Sequence, residues 1–277
     1  MRIIAELCQN HNGDRNTLEQ MIDAASQSCD IVKIQTILAD SLTKREEYES
    51  FRPFNQEYER LKKLELSEED ERFFIEKCRE RGVEPMTTLF SKNQINRFNR
   101  LGYRKLKISG YAMHAFEYGL GLKDINFDEF FFSTSSLNLD EISLVVSNLK
   151  KMGINFTMLQ CTCIYPTSLE KSLLQNIPFY KKYFNLDSIG FSDHSNPYED
   201  GLLLPKLAIF SGIDVIERHF TILDKDATRD GKVSITPEMA KELKRFSTFS
   251  EVDQYLNLNT FNEQQCFNHS FYRGRFK

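Results

Sequence analysis

No stretch of this 277-residue sequence approaches the roughly 18 apolar residues needed to cross a bilayer as a helix, so no membrane partner is expected. The N-terminus MRIIAELCQN also lacks the charged, apolar and cleavable layout of a secretory leader, and a cytoplasmic protein is expected. Basic clusters are missing too. The 36 Lys and Arg are dispersed among 40 Asp and Glu, which removes the electrostatic footprint of a nucleic-acid binder and favours a small-molecule partner. Six cysteines (Cys8, Cys29, Cys78, Cys161, Cys163 and Cys266) form no C-x-x-C pair, so reduced thiols are expected rather than a disulfide framework or a structural zinc knot. No internal repeat or low-complexity segment stands out.

What the chain does have is a rhythm. Short apolar runs recur, each followed by a polar connection and a segment with helical apolar spacing, and this alternation predicts parallel βαβ units. About eight such units fit, with strands expected at Arg2–Leu7, Ile31–Gln35, Glu84–Thr88, Tyr103–Ile108, Glu129–Thr134, Asn155–Gln160, Ser188–Ser192 and Val215–His219. The length suits one α/β TIM barrel of eight parallel strands over residues 1–249, followed by a tail at 250–277 without clear period. Helix starts are readable at Ser67 before Asp70, Ser91 before Gln94, and Thr236 before Pro237. The charged connection from Thr36 to Leu66 is long enough to pass over the barrel mouth.

Active sites of such barrels lie where strands end, so the polar residues there are the candidates. They include Glu6, Asn10, His11 and Asn12 after strand one, Lys33 and Gln35 on strand two, and Thr87 and Thr88 on strand three. Lys107 and Ser109 follow on strand four, Ser133 and Thr134 on strand five, and Thr162, Cys163 and Tyr165 after strand six. Strand seven ends in Ser192, Asp193 and His194, and strand eight in Glu217, Arg218 and His219. Any one of these has a structural explanation. Together, two lysines in apolar strands with hydroxyls beside them describe a pocket for a phosphate or carboxylate, since buried ammonium groups need anionic partners. His194 and His219 end neighbouring strands, where two imidazoles can share a divalent cation and leave positions open.

Five stretches carry a resemblance: AELCQNHNG (Ala5–Gly13), VKIQT (Val32–Thr36), CTCIYPT (Cys161–Thr167), IGFSDHS (Ile189–Ser195) and ERHFT (Glu217–Thr221). They resemble the sialic acid synthase family's AEIGxNHNG, VKxQT, CTxxYPT, GxSDHT and ERHFT, in the family's order across residues 1–249. The resemblance implies a barrel that condenses phosphoenolpyruvate with N-acetylmannosamine or a related amino-sugar aldose. The products are a nonulosonic, sialic-type 3-deoxy-2-keto sugar acid and phosphate. Carried over residue by residue, Lys33, Thr88, Lys107, Ser109, Ser133 and Tyr165 match positions that hold phosphoenolpyruvate, with Cys163 where an asparagine often helps. Glu6 matches the carboxylate beside that substrate, and Gln35 faces the acceptor. His194 and His219 match the histidines that bind Mn2+ or Mg2+, and Asp230 matches an aspartate that helps bind the sugar or the metal-bound water.

Departures from the pattern bear on the acceptor. The family's KIGSGE reads KISGYA here (Lys107–Ala112), so Tyr111 or Ala112 replaces a sugar-facing glutamate; Ser135 replaces a glycine, and TRD (Thr228–Asp230) replaces GPD. The family usually continues into an antifreeze-protein-like domain that covers the partner subunit's site and contributes an arginine. Here NHSFYRGRF (Asn268–Phe276) resembles the start of that connection. A homodimer, or a separate protein supplying the lid, is the expectation that follows, with Arg273 or Arg275 as stand-ins for the arginine. Two other classes stay open at this point: a metal-assisted aldolase or hydrolase on the same barrel, and a non-catalytic or altered-specificity sugar-binding barrel.

Overall fold

A computed structural model describes residues 1–248. The expected tail at 250–277, with Cys266, Arg273 and Arg275, lies outside the described residues. Eight strands close into an all-parallel barrel in sequence order, each hydrogen-bonded to the next and the last to the first. They are β1 Arg2–Cys8, β2 Ile31–Gln35, β3 Glu84–Leu89, β4 Lys105–Ile108, β5 Glu129–Ser133, β6 Phe156–Cys161, β7 Ile189–Asp193 and β8 Val215–His219. Around them run α1 Arg15–Ala25, α2 Phe54–Leu64, α3 Glu68–Glu80, α4 Ile95–Leu101, α5 Leu139–Lys151, α6 Asn176–Tyr183, α7 Leu203–Phe210 and α8 Pro237–Thr248.

The helix starts follow their local chemistry. The Ser67 hydroxyl accepts from the Asp70 amide while the Asp70 carboxylate accepts from the Ser67 amide, so two donors left over at the start of α3 are satisfied at once. Ser91 and Gln94 make the same reciprocal pair before α4, and Pro237 opens α8. Two expectations need correction. Tyr103, placed on the fourth strand by its apolar neighbours, precedes β4; its buried ring stacks on Phe98 and its hydroxyl donates to Glu71, a pull from the helical layer that keeps it out of the sheet. The connection after β4 is a run of 3-10 turns over Gly110–Leu122 rather than an α-helix. Its chain is broken by left-handed residues at Glu117, Tyr118 and Gly119.

Because successive side chains on a strand face opposite sides, one residue in two enters the barrel. The interior is therefore stacked in layers. The middle layer is apolar, made by Ile4, Ile31, Met86, Phe131, Leu159 and Val215. Gly190 belongs here by necessity: a methyl group at its Cα would lie 2.5 Å from both Leu159 Cδ2 and the Val215 carbonyl, so only glycine lets β7 pass. Below this layer the base is shut by ions. Arg2 donates to Glu129 at 2.8 Å, Lys105 donates to Glu129 at 2.5 Å and reaches Glu84 at 2.8 Å, and the Arg2 guanidinium lies over the Phe131 ring. The outward residues pack the strands on the helices in one large apolar cluster. Among the outward residues is a buried ion pair, Arg218 of β8 with Asp193 of β7, completed by Ser195 and the Val233 carbonyl.

The long connection after β2 does pass over the mouth. It holds two 3-10 turns and α2, from which Arg60 donates to Gln9 at 2.6 Å after β1, and Glu57 approaches Arg229 at 3.8 Å after β8.

Candidate active site

Two residues past the apolar layer, the same alternation brings Glu6, Lys33, Thr88, Ser133, Cys161 and Glu217 into the barrel, with Lys107 from β4 and Ser192 from β7. One layer higher stand Gln35, Ser109, Cys163, His194 and His219, and the two tiers line one cleft with Tyr111, Ser135 and Tyr165. A larger hollow of about 270 Å³ lies in the connection after β2, walled by Leu42, Arg45, Phe51, Arg52 and Phe54 among others. Of the two, the small cleft is the chemically equipped one, because it gathers buried lysines, carboxylates and imidazoles, groups that cost too much to bury without a task or a partner.

Its floor is an ion network. Lys33 bonds Glu6, donates to Thr88 Oγ1 at 3.0 Å and lies 3.6 Å from Glu217. Lys107 bonds Glu217, which also accepts from Ser192 Oγ at 3.0 Å. Burial lowers the Lys33 ammonium to about 7, with the Glu217 carboxylate resisting and the Lys107 charge assisting. Burial disfavours the charged form of Glu217, yet Lys107 and Lys33 outweigh it and hold that carboxyl well below the usual carboxylate range. The two lysines and two carboxylates pair with one another while all four sit almost out of water.

The two histidines are held differently. His194 donates from Nδ1 to the Thr162 carbonyl at 3.0 Å, which leaves the Nε2 lone pair free to accept; it takes the Tyr165 hydroxyl at 2.9 Å. His219 faces it with ring centres 5.3 Å apart, but its buried Nδ1 has no hydrogen-bond partner, and Asp230 Oδ2 lies 4.0 Å away. Burial lowers His194 to about 4 and His219 to about 3, so both are neutral imidazoles near pH 7, the form that binds metals. Donor atoms of Cys8, His219 and Asp230 lie within 4.8 Å of one another. A neutral imidazole with an unsatisfied nitrogen, a carboxylate and a thiol on one spot is a donor set that fits a divalent cation. His194 stands beside that set, with its Nε2 engaged by Tyr165.

A NeuB family model matches residues 21–254 of the chain. An N,N'-diacetyllegionaminic acid synthase of Legionella pneumophila is 34% identical over 260 residues, covering 87% of this chain and 69% of its own length. The chain belongs to the NeuB family. The family comprises sialic-acid-type synthases, enzymes that form carbon–carbon bonds with phosphoenolpyruvate, so this NeuB member is an enzyme of that class. More distant relatives include the human N-acetylneuraminate-9-phosphate synthase, 27% identical over 251 residues with 88% of this chain and 68% of that protein covered. In fold the chain is similar to a sialic acid synthetase of Leptospira borgpetersenii solved with citrate, with a TM-score of 0.80, 23% identity, and 99% and 92% of the two chains covered.

Within this NeuB barrel the expected residues fall into three places. Glu6, Lys33, Gln35, Lys107, Ser109, Ser133, Cys163, Tyr165, His194 and His219 all line the cleft. Thr88 sits behind Lys33 as its hydroxyl acceptor, and Asp230 joins from the loop after β8. His11 and Asn10 turn away from the cleft: His11 Nδ1 accepts from the Gly13 amide, and Asn10 Nδ2 donates to the Phe220 carbonyl and to Ser234 Oγ. Of the two candidates in KISGYA, Tyr111 lines the cleft and stacks on Phe90, while Ala112 is buried. Gly110 is required at this crossing, since an added Cβ would lie 2.0 Å from the Ser135 carbonyl. Glu217 was visible only as a strand-end polar residue with no role. Its two-residue spacing from His219 was the signal that both enter the barrel. Ser192, Ser135 and Cys8 also belong to the site without having been assigned to it.

Proposed function

We propose that the enzyme condenses phosphoenolpyruvate with N-acetylmannosamine or a related amino-sugar aldose, giving a nine-carbon 3-deoxy-2-keto acid and phosphate. The observation that carries this reading is the meeting of Lys33 and Lys107 with Glu6 and Ser133 in the closed barrel's cleft, directly below the tier of Gln35, Ser109, Cys163, His194 and His219. Lys33 and Lys107 bind the phosphate and carboxylate of phosphoenolpyruvate, with the Ser109 and Ser133 hydroxyls as neutral donors. Glu217 pins Lys107 from across the barrel through a bond that Ser192 supports, fixing the ammonium before substrate arrives.

In the reaction the enol carbon attacks the open-chain aldehyde. Water adds at C2, and the tetrahedral hemiketal phosphate collapses to ketone and phosphate. Charge moves onto the departing phosphate in that collapse, where the two ammonium groups already stand. Glu6 lies against Lys33, whose proton is loosely held near neutrality, so this pair can hold or pass a proton beside C2. A divalent cation, Mn2+ or Mg2+ by family resemblance, would be held by His219 and Asp230 with His194 at hand, and supplies Lewis-acid polarisation of an aldehyde oxygen. Gln35 and Tyr111 face the acceptor. Tyr111 in place of a carboxylate favours an acceptor with an apolar or acetylated group at that position over one that needs an anionic partner.

The test is phosphate release with a panel of amino-sugar aldoses, read together with the mass of the product. Release that requires both substrates and a product heavier than the aldose by pyruvate support the proposal. Phosphate release independent of any aldose, or an aldose cleaved without phosphoenolpyruvate, would overturn it.

A further inference from the structure

Cys8 stands where the family's AEIGxNHNG stretch has glycine, and the backbone explains why glycine suits the position. Its φ is +49°, in the left-handed region, and the pairing of β1 with β2 shifts register between Glu6 and Cys8. A side chain that keeps such a conformation is strained, and strain of this kind persists where the surroundings make use of the residue. The Cys8 thiol is buried and lies 3.1 Å from Asp230 Oδ2, which is itself 4.0 Å from His219 Nδ1. His219 Nδ1 is the second, independent observation: it is a buried ring nitrogen, on a residue only 5% exposed, left without any hydrogen-bond partner and within 4.8 Å of the other two donor atoms.

Donor atoms 3.1 and 4.0 Å apart are close enough to share one divalent ion, whose bonds to nitrogen, oxygen and sulfur are about 2.0–2.3 Å long. The Asp230 loop is braced for this. Asn10 Nδ2 donates to Ser234 Oγ at 2.9 Å, and Ser234 Oγ donates to the Asp230 carbonyl at 2.8 Å.

We infer that Cys8 is a metal ligand: with His219 and Asp230 it forms a thiolate-containing site that takes a borderline-soft divalent cation of the Zn2+, Fe2+ or Co2+ kind in preference to Mg2+ or Mn2+. Sulfur sets this preference, because thiolate binds the softer ions and adds little for hard ones. On binding, the thiol gives its proton to solvent and its lone pair to the ion. The inference keeps His219 and Asp230 from the metal reading under the proposed function and replaces the Mn2+ or Mg2+ that the resemblance implies with a softer ion, because of the thiol this chain adds. It is read with the metal alone, so it stands or falls whether or not the synthase reaction is found.

The full chain, stripped of metal with a chelator, is titrated with Co2+ and its absorption followed. Wild type should show the near-ultraviolet charge-transfer band that thiolate ligation produces, and Cys8→Ser and Cys8→Gly should lack it. Cys8→Gly restores the family's residue and relieves the left-handed strain, so loss of the band there cannot be blamed on misfolding. Competition titrations should show Zn2+ binding weakened by at least about tenfold in Cys8→Gly, with Mn2+ binding changed by less than about threefold. Absence of the band in wild type, or equal Zn2+ affinity in wild type and Cys8→Gly, would show instead that Cys8 serves only as a hydrogen-bond donor to Asp230.

Discussion

Replacing Lys107 by Met removes an ammonium whose two jobs can be measured separately. Lys107 neutralises Glu217, which is left in the variant with Ser192 at 3.0 Å and the more distant Lys33 at 3.6 Å. Removing one partner of a buried pair costs about 3–5 kcal/mol; the residual contacts of Glu217 put this case near 3. The second job is the proposed contact with phosphoenolpyruvate, worth about 1.5–3 kcal/mol for a charged hydrogen bond, or roughly a tenfold to 150-fold rise in Kd. The double variant Lys107→Met, Glu217→Gln separates them. A neutral amide still accepts from Ser192 and no longer needs a cation, so urea unfolding should show most of the lost stability recovered. Calorimetric titration should show phosphoenolpyruvate binding still weakened. Unaltered affinity in the folded double variant would refute the reasoning, leaving Lys107 as a structural counter-ion.

Four further outcomes are expected. His219→Ala, and exhaustive chelation of the wild type, should each abolish turnover while circular dichroism stays native, since the side chain lies at a strand end rather than in the apolar core. Arg218→Met should destabilise the protein by about 3–5 kcal/mol in urea unfolding by stranding the Asp193 carboxylate, and, where folded, should bind phosphoenolpyruvate normally, because this pair faces the helices. Buried His11 is lowered to about 4 against about 6.5 in an unfolded chain, so its neutral form loses up to about 3 kcal/mol of stability as pH falls from 6.5 to 4. His11→Asn should flatten the stability–pH curve in that window and leave it unchanged above pH 7. Tyr111→Glu should shift the Michaelis constant among amino-sugar aldoses far more than that for phosphoenolpyruvate, which steady-state kinetics would show.

The barrel was legible because its determinants are local. Apolar runs mark β2 and β8 to the residue, and the Ser67 and Ser91 signals are satisfied within four residues of themselves. The lysines were legible for a related reason: an ammonium in an apolar strand announces a partner. Which partner it is depends on closure. Glu217 meets Lys107 only because β8 returns to β1 and faces β4 across the interior, a relation no window of sequence contains. Tyr103 misled because its apolar neighbourhood suits a strand, while a single long-range bond to Glu71 decides its place. Cys8 gave no local signal, because its partner Asp230 lies 222 residues along the chain and the two meet only when the barrel closes. The expected meeting of His194 with His219 rested on neighbouring strand ends and on the family's motifs, and the rings do face each other at 5.3 Å; that Tyr165 donates to His194 Nε2 depends on how the loop after β6 folds back, which strand ends do not show.

The ionic base formed by Arg2, Glu84, Lys105 and Glu129, capped by the apolar layer above it, makes the barrel a blind well. A molecule seated between Lys33 and Lys107 lies beneath one seated beside Gln35 and Tyr111, so the deeper guest has to enter before the shallower one and cannot depart past it. For the proposed reaction this imposes a queue: phosphoenolpyruvate first, sugar second, and phosphate, formed at the bottom, waiting on the exit of the long acid above it. Inhibition by added product should carry that signature, with phosphate competing against phosphoenolpyruvate and the sugar acid not.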